Sequence, residues 1–180
     1  LLSGAATAGD RVAVIGAGGI GVDVSVYLTH TEESDAEWLA HWGVGDPAEH
    51  RAGLPAPAPR QAAREVWLIQ RKTTPIGIGL GKTSGWAHRA VLKQSGVHQI
   101  SGASYDLIDD DGLHLTTPEG PLTLKVDTVV VCAGQESVRG LFDQLQEAGV
   151  KAHLIGGADV AAELDAKRAI RQGTELAAQT

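Results

Sequence analysis

The residues most able to do chemistry in this chain are Gly16-Ala17-Gly18-Gly19-Ile20-Gly21. They spell G-x-G-x-x-G between a short apolar run, residues 11–15, and a helix-compatible stretch, residues 22–28. In a strand-to-helix setting this pattern grips the pyrophosphate of a dinucleotide. Gly16 permits the tight turn off the strand, Gly18 lets the phosphates approach bare backbone, and Gly21 lets the helix sit close to the strand. The amides of the first helical turn, Gly19 and Ile20 among them, then face the phosphates at the positive end of the helix dipole. The competing reading is a glycine-rich turn in an ordinary α/β protein. The order strand, motif, helix favours the dinucleotide.

A second strand, residues 65–70, delivers Gln70-Arg71-Lys72 to the place where an NAD site puts a carboxylate on the ribose 2′-hydroxyl. The acid is missing and two cations stand there. A guanidinium can hold a 2′-phosphate in bidentate fashion and Lys72 adds a point charge, so NADPH is the expected cofactor. A solvated strand end would look the same. The next segment, TTPIGIGLGKTS, ends in Gly81-Lys82-Thr83, but a P-loop needs glycine five places before Gly81 and Ile76 stands there. A glycine loop is expected instead, lying over the cofactor with Lys82 in it. Ala133-Gly134-Gln135 follows an apolar run, residues 126–132, and its small residues would let a cofactor approach. Gly156-Gly157-Ala158-Asp159 follows an expected last strand, residues 152–155. Asp159 can bind ligand hydroxyls or cap the helix behind it, and the residues alone do not choose.

No catalytic acid, base or nucleophile and no metal ligand set is read from this sequence. Cys132, the single cysteine, has no basic or His neighbour in sequence and is expected to be a buried, inert thiol. His88 is taken as an ordinary helical residue without a charge partner. One cysteine excludes a disulfide framework and an all-cysteine cluster within this chain. The net charge of −7, without a basic stripe, argues against a nucleic-acid surface. With no apolar run near the ~20 residues that cross a bilayer, and no signal peptide in residues 1–10, the expectation is a cytoplasmic protein without membrane or nucleic-acid partners. The chain has no methionine and opens on Leu1-Leu2, which suggests a piece of a larger protein.

The elements that must position these residues are those of an α/β, Rossmann-like domain with a parallel sheet. Residues 1–10 read as a linker and 11–150 as the NADPH-binding domain. Residues 30–63 form a surface insertion: Ser34-Asp35-Ala36-Glu37 has capping-box spacing, so a short helix is expected over 35–42, followed by a proline-rich loop. Trp38 and Trp42 share a face of that helix and are expected to pack back onto the domain. A helix over 85–94 carries Trp86 as a core residue. After a third strand, residues 97–101, three short runs (105–108, 112–116 and 122–125) separated by turn residues form a β-meander. Residues 126–132 read as a parallel strand buried on both faces. A helix capped by Ser137 runs to about residue 148, and one over about 161–178 closes the chain.

Three stretches carry a closer likeness. Residues 79–86 (GLGKTSGW), 127–135 (DTVVVCAGQ) and 154–168 (LIGGADVAAELDAKR), in this order behind the G-x-G-x-x-G unit, resemble the bacterial NADPH-dependent 2,4-dienoyl-CoA reductases. These are flavoproteins with two dinucleotide-binding domains. The resemblance covers nearly the whole chain, with the insertion its least informative part. It implies that residues 11–150 bind NADPH through Gly16, Gly18, Gly19, Ile20, Gly21, Gln70, Arg71, Lys72, Lys82, Ala133, Gly134 and Gln135. It also implies that residues 151–180 are the return segment of a split FAD domain, with Gly156, Gly157 and Asp159 against FAD. Electrons would run from NADPH to FAD, then through a 4Fe-4S cluster and FMN in an N-terminal barrel, to a 2,4-dienoyl-CoA of unsaturated fatty acid β-oxidation. A trimethylamine dehydrogenase-like relative, another enoate reductase, or a stand-alone NADPH-binding module are the alternatives. Arg71 and Lys72 count against the first of these.

Overall fold

The computed structural model describes residues 1–162 and 164–179 and divides into two compact units, Leu1–Ala133 and Gly134–Thr180. In the first unit the elements are β1 (Arg11–Ile15), α1 (Gly19–Thr29), α2 (Asp35–His41), β2 (Glu65–Gln70), α3 (Gly85–Gln94) and β3 (His98–Ser101). They are followed by β4 (Ser104–Asp109), β5 (Gly112–Thr117), β6 (Gly120–Leu124) and β7 (Thr128–Val131). Four strands make an all-parallel sheet in the order β3-β2-β1-β7, and β4-β5-β6 form a separate antiparallel meander. The fold is α/β and Rossmann-like, as the hydrophobic pattern required.

Strand alternation sorts the core into two layers. Val12 and Val14 of β1, with Val66 and Leu68 of β2, face Val22 and Leu28 of α1 and Leu92 of α3. Ala13, Ile15 and Ile69 point the other way, onto Leu113, Leu115 and Leu124 of the meander. The central strand β1 is thus covered by helices on one face and by the meander on the other. Inside α1, the buried Ser25 and Thr29 hydroxyls donate back to the carbonyls of Gly21 (2.7 Å) and Ser25 (2.9 Å), so neither is left unpaired.

The insertion keeps its capping box: Ser34 Oγ accepts from the Glu37 amide and the Glu37 carboxylate accepts from the Ser34 amide. Two expectations in this unit need correction. The strand expected over 126–132 is only Thr128–Val131, and it pairs with β1 alone at the sheet edge. It is half-buried, not sealed on both faces, because the last strand of a sheet has no neighbour on one side. Trp86 is 59% exposed and not in the core.

The second unit holds α4 (Gly140–Glu147) and α5 (Ala166–Ala177). The strand expected over 152–155 is absent, since a strand needs a partner and none lies within this unit. Ser137 does not cap α4. Its hydroxyl accepts from the Ala161 amide and donates toward the Asp159 carbonyl. Helix α5 begins at Ala166, not near residue 161, because Asp165 is its N-cap and accepts from the Arg168 amide at 2.7 Å. Residues 163 and 180, at either end of the expected last helix, lie outside the described residues. No helix among the described residues is long and apolar enough to cross a membrane.

Candidate functional site

The C-terminal ends of β1 and β2, the side on which ligands bind in open α/β sheets, carry the glycine motif and Arg71. Gly16 sits at φ +103°, a conformation that side chains rarely adopt. Its amide donates to the Ile69 carbonyl at 2.8 Å, which locks the turn onto β2. A Cβ there would press on the Cys132 carbonyl group and on Ala133, so the motif and Ala133 are neighbours. At Gly18 and Gly19 an added Cβ meets nothing within 4 Å. No side chain caps α1 and its first turn holds no acid. The first intrahelical bond runs from Val22 N to Gly18 O, leaving the amides of Gly19, Ile20 and Gly21 ahead of it. This is a bare, positively polarised cradle of the shape a pyrophosphate needs.

Beyond β2, Arg71 is exposed and makes no hydrogen bond or ion pair among the described residues. It lines a cleft of about 360 Å³ with Gly102, Ala103, Ser104 and the Thr116-Thr117-Pro118 corner of the meander. The walls are fixed by backbone bonds from Gly102 N to Lys72 O (2.9 Å) and from Ala103 N to Gln70 O (3.1 Å). Gln70 braces this corner: its side-chain amide donates to the carbonyls of Lys72 (3.1 Å) and Thr74. Lys72 is exposed beside it. The half-buried Tyr105 phenol is pushed above its ordinary pKa by burial, opposed by the charge of Arg71. Sequence reading missed the meander's part in this cleft, since Ser104 and Thr116–Pro118 register only as strand and turn residues.

Lys82 is exposed on the loop between β2 and α3. His88 has a charged neighbour that its own segment does not reveal: Nδ1 lies 3.9 Å from Asp23 Oδ1 on α1. Cys132 is half-buried and burial pushes its thiol up, which keeps it protonated at neutral pH. The aspartates between β4 and β5 serve the turn, with Asp109 Oδ1 accepting from the Asp111 amide at 2.9 Å. No group of potential metal ligands forms among the described residues.

In the second unit, Gly134 and Gln135 are exposed. Asp159 is not a helix cap; Oδ2 accepts from Gln172 Nε2 at 2.9 Å, and the same carboxamide accepts from the Gly156 amide at 2.8 Å. Gln172 therefore ties Asp159 to the turn that contains Gly157.

The pyridine nucleotide-disulphide oxidoreductase family matches residues 3–168. The chain belongs to that family. Membership makes it an oxidoreductase domain of the flavoprotein class, for which NAD(P) and FAD are the implied cofactors. With one cysteine in 180 residues, this pyridine nucleotide-disulphide oxidoreductase domain does not itself hold a redox-active cysteine pair. Among solved structures it is similar to a 2-naphthoyl-CoA reductase in complex with 2-naphthoyl-CoA, at TM-score 0.63 and 20% identity, over 96% of this chain and 21% of that one. It is also similar to 6-hydroxypseudooxynicotine amine oxidase from Pseudomonas geniculata N1, at TM-score 0.53 and 16% identity, over 82% of this chain and 18% of that one. At these identities the likeness is one of fold. The chain spans about a fifth of the length of either protein.

Proposed function

We propose that this chain is the NADPH-binding part of a multi-cofactor oxidoreductase that passes hydride from NADPH to FAD and reduces a 2,4-dienoyl-CoA. The observation that carries the NADPH assignment is Arg71, a cation at the end of β2 that makes no hydrogen bond or ion pair among the described residues and lines an open cleft. The glycine cradle fits a pyrophosphate: Gly18 and Gly19 face open space and the first-turn amides are uncapped. Gly16 and Gly21 hold the turn, Gly18, Gly19 and Ile20 take the phosphates, and Arg71 and Lys72 take the 2′-phosphate. Lys82 and Ala133 border the cofactor. The nucleotide supplies the hydride, and these residues bind and orient it without acting as acid or base.

Support for the finer activity is the resemblance of residues 79–86, 127–135 and 154–168 to the dienoyl-CoA reductases. A 2-naphthoyl-CoA reductase, by its name also a reductase of an acyl-CoA, is among the similar folds. The partner of this chain in the proposal is the rest of a parent polypeptide: an FAD domain, to which Gly157 and Asp159 contribute one edge, and a barrel with FMN and a 4Fe-4S cluster. Helices α4 and α5 bury no residue, and Val138, Leu141 and Ile170 stand 86%, 71% and 68% exposed, which suits a segment completed by other parts of a protein.

Titration calorimetry of the chain with NADPH and with NADH tests the assignment. NADPH should bind at least about tenfold more tightly, since one charged hydrogen bond is worth ~1.5–3 kcal/mol and ~1.4 kcal/mol is a decade. Equal affinities, or no binding of either, would overturn it.

A further inference from the structure

The glycine loop between β2 and α3 is held by side chains that no cofactor motif calls for. Lys82 stands between two carbonyls that are each fixed. Gly81 O accepts from the Gly85 amide at 2.7 Å, and Thr83 O accepts from Trp86 Nε1 at 3.0 Å. At the loop's far end, Gly77 O accepts from the Arg89 guanidinium at 2.9 Å. Gly79 and Gly81 give the chain between these points little stiffness of its own. The short turn that carries Lys82 is therefore pinned on both sides of that residue, at the Gly81 carbonyl by the Gly85 amide and one peptide further on, at the Thr83 carbonyl, by Trp86.

Trp86 cannot be explained as a core residue, because 59% of it is exposed. Its ring is backed by the insertion: Trp42 meets it edge-on, with centroids 5.9 Å apart at 75°, and Trp38 meets Trp42 at 6.2 Å. Such pairs add attraction beyond area burial. The insertion is in turn tied to α3 by a hydrogen bond from Gln94 Nε2 to the His41 carbonyl at 3.2 Å. Within the insertion, Glu33 bridges His41 (2.6 Å) and Arg60 (3.1 Å), with all three side chains under 15% exposed. A braced path thus runs from the insertion through Trp42 and Trp86 to the carbonyl beside Lys82.

We propose that Trp86, backed by Trp42 of the insertion, is a positioning residue for Lys82, presenting its ammonium to an anionic oxygen of the pyridine nucleotide. The inference rests on the NADPH reading above and gives the 30–63 insertion a task. Trp86→Phe keeps an aromatic ring against Trp42 but removes the donor to Thr83. It should raise the NADPH Kd three- to tenfold, about one hydrogen bond's worth, without moving the unfolding midpoint.

The decisive experiment is a double-mutant cycle on NADPH affinity with Trp86→Phe and Lys82→Ala. The double variant should bind no worse than Lys82→Ala alone, because Trp86 acts through Lys82. Penalties that multiply, or a Trp86→Phe variant that binds like the parent, would overturn the proposal while leaving NADPH binding intact. Trypsin cleavage after Lys82 gives a readout without nucleotide. It should be several-fold faster in Trp86→Phe and in Trp42→Leu, and an unchanged cleavage rate would equally sink the idea. A parent chain that binds no NADPH would overturn the functional reading itself, and this inference with it.

Discussion

A Cβ built on Gly21 would fall on the carbonyl oxygen of Gly16, while a Cβ built on Gly18 would touch nothing. The two glycines of one motif therefore have separable jobs. Gly21 sets how closely α1 approaches the turn after β1, a matter of packing. Gly18 keeps the cradle open, a matter of binding. Gly21→Ala should destabilise the protein by about 3 kcal/mol or more, as expected where backbone must move to relieve a clash. Gly18→Val should keep the fold and lose nucleotide, because a β-branched side chain would occupy the pyrophosphate's space. Thermal unfolding and NADPH titration of both variants check this; a stable Gly21→Ala or an NADPH-binding Gly18→Val contradicts it.

Arg71→Ala should lower NADPH affinity about tenfold or more and leave NADH affinity nearly unchanged. The exposed guanidinium makes no hydrogen bond or ion pair among the described residues, so its removal breaks none of them and lifts only a charge felt by the Tyr105 phenol. The loss corresponds to a charged hydrogen bond of ~1.5–3 kcal/mol to the 2′-phosphate. Calorimetry with both nucleotides measures it, and an equal loss for NADH would assign Arg71 to some other part of the ligand.

What the sequence made legible follows from what is local. Helix α3 and strand β2 fall where their punctuation puts them: Ser84 and Gly96 bracket the helix, and an apolar run defines the strand. Gly16, Gly18 and Gly21 were legible because backbone geometry is written in single residues. Neighbours are not. Val129-Val130-Val131 has the composition of a central strand, but sheet order places it at the edge. Trp86 looks like core because tryptophan usually is, yet its ring meets Trp42, just past the insertion's helix and some forty residues away. The wall of the Arg71 cleft comes from the meander, whose residues register only as strand and turn formers.

Glu33→Ala should unfasten the insertion. The carboxylate is the hydrogen-bond acceptor for both His41 and Arg60, whose side chains are 14% and 11% exposed. Arg60 Nε already lacks a partner. Removing one member of a mostly buried charged group and leaving the other costs about 3 kcal/mol. The loss should be local, as faster amide hydrogen exchange in α2 with β1 and β2 still protected. Unchanged exchange in α2 would show that the cluster does not hold the insertion.

The Arg11–Asp127 pair should make the start of the sheet acid-sensitive. Arg11 donates to both Asp127 carboxylate oxygens, at 2.7 and 3.3 Å from its guanidinium and 2.9 Å from its amide. The side-chain hydrogen bond from Arg11, then its amide, hold the Asp127 carboxyl below the usual carboxylate range. A depressed folded pKa means that the pair's stabilisation is complete above the unfolded value of about 3.9. It is lost as pH falls through the lower folded value. An NMR titration of the Asp127 carboxyl carbon should show this midpoint depressed, returning toward 3.9 in Arg11→Ala. A parent midpoint at the ordinary value would remove the pair from any account of acid stability.

The last prediction concerns flavin. The chain has one G-x-G-x-x-G unit, and its cradle at Gly18 and Gly19 opens beside Arg71's strand, which suits NADPH. An FAD site of the family's kind needs a second such unit for its own pyrophosphate. In the reading proposed above, the second unit contributes to that site the turn around Gly156 and Gly157, with Asp159 held by Gln172. That amounts to one edge of a site, without a cradle. The purified 180-residue chain should therefore be colourless, bind NADPH, and show no activity toward a 2,4-dienoyl-CoA with NADPH supplied. Its absorption spectrum decides the matter. Flavin copurifying in stoichiometric amount would reassign Gly16, Gly18 and Gly21 to FAD and leave Arg71 without its 2′-phosphate.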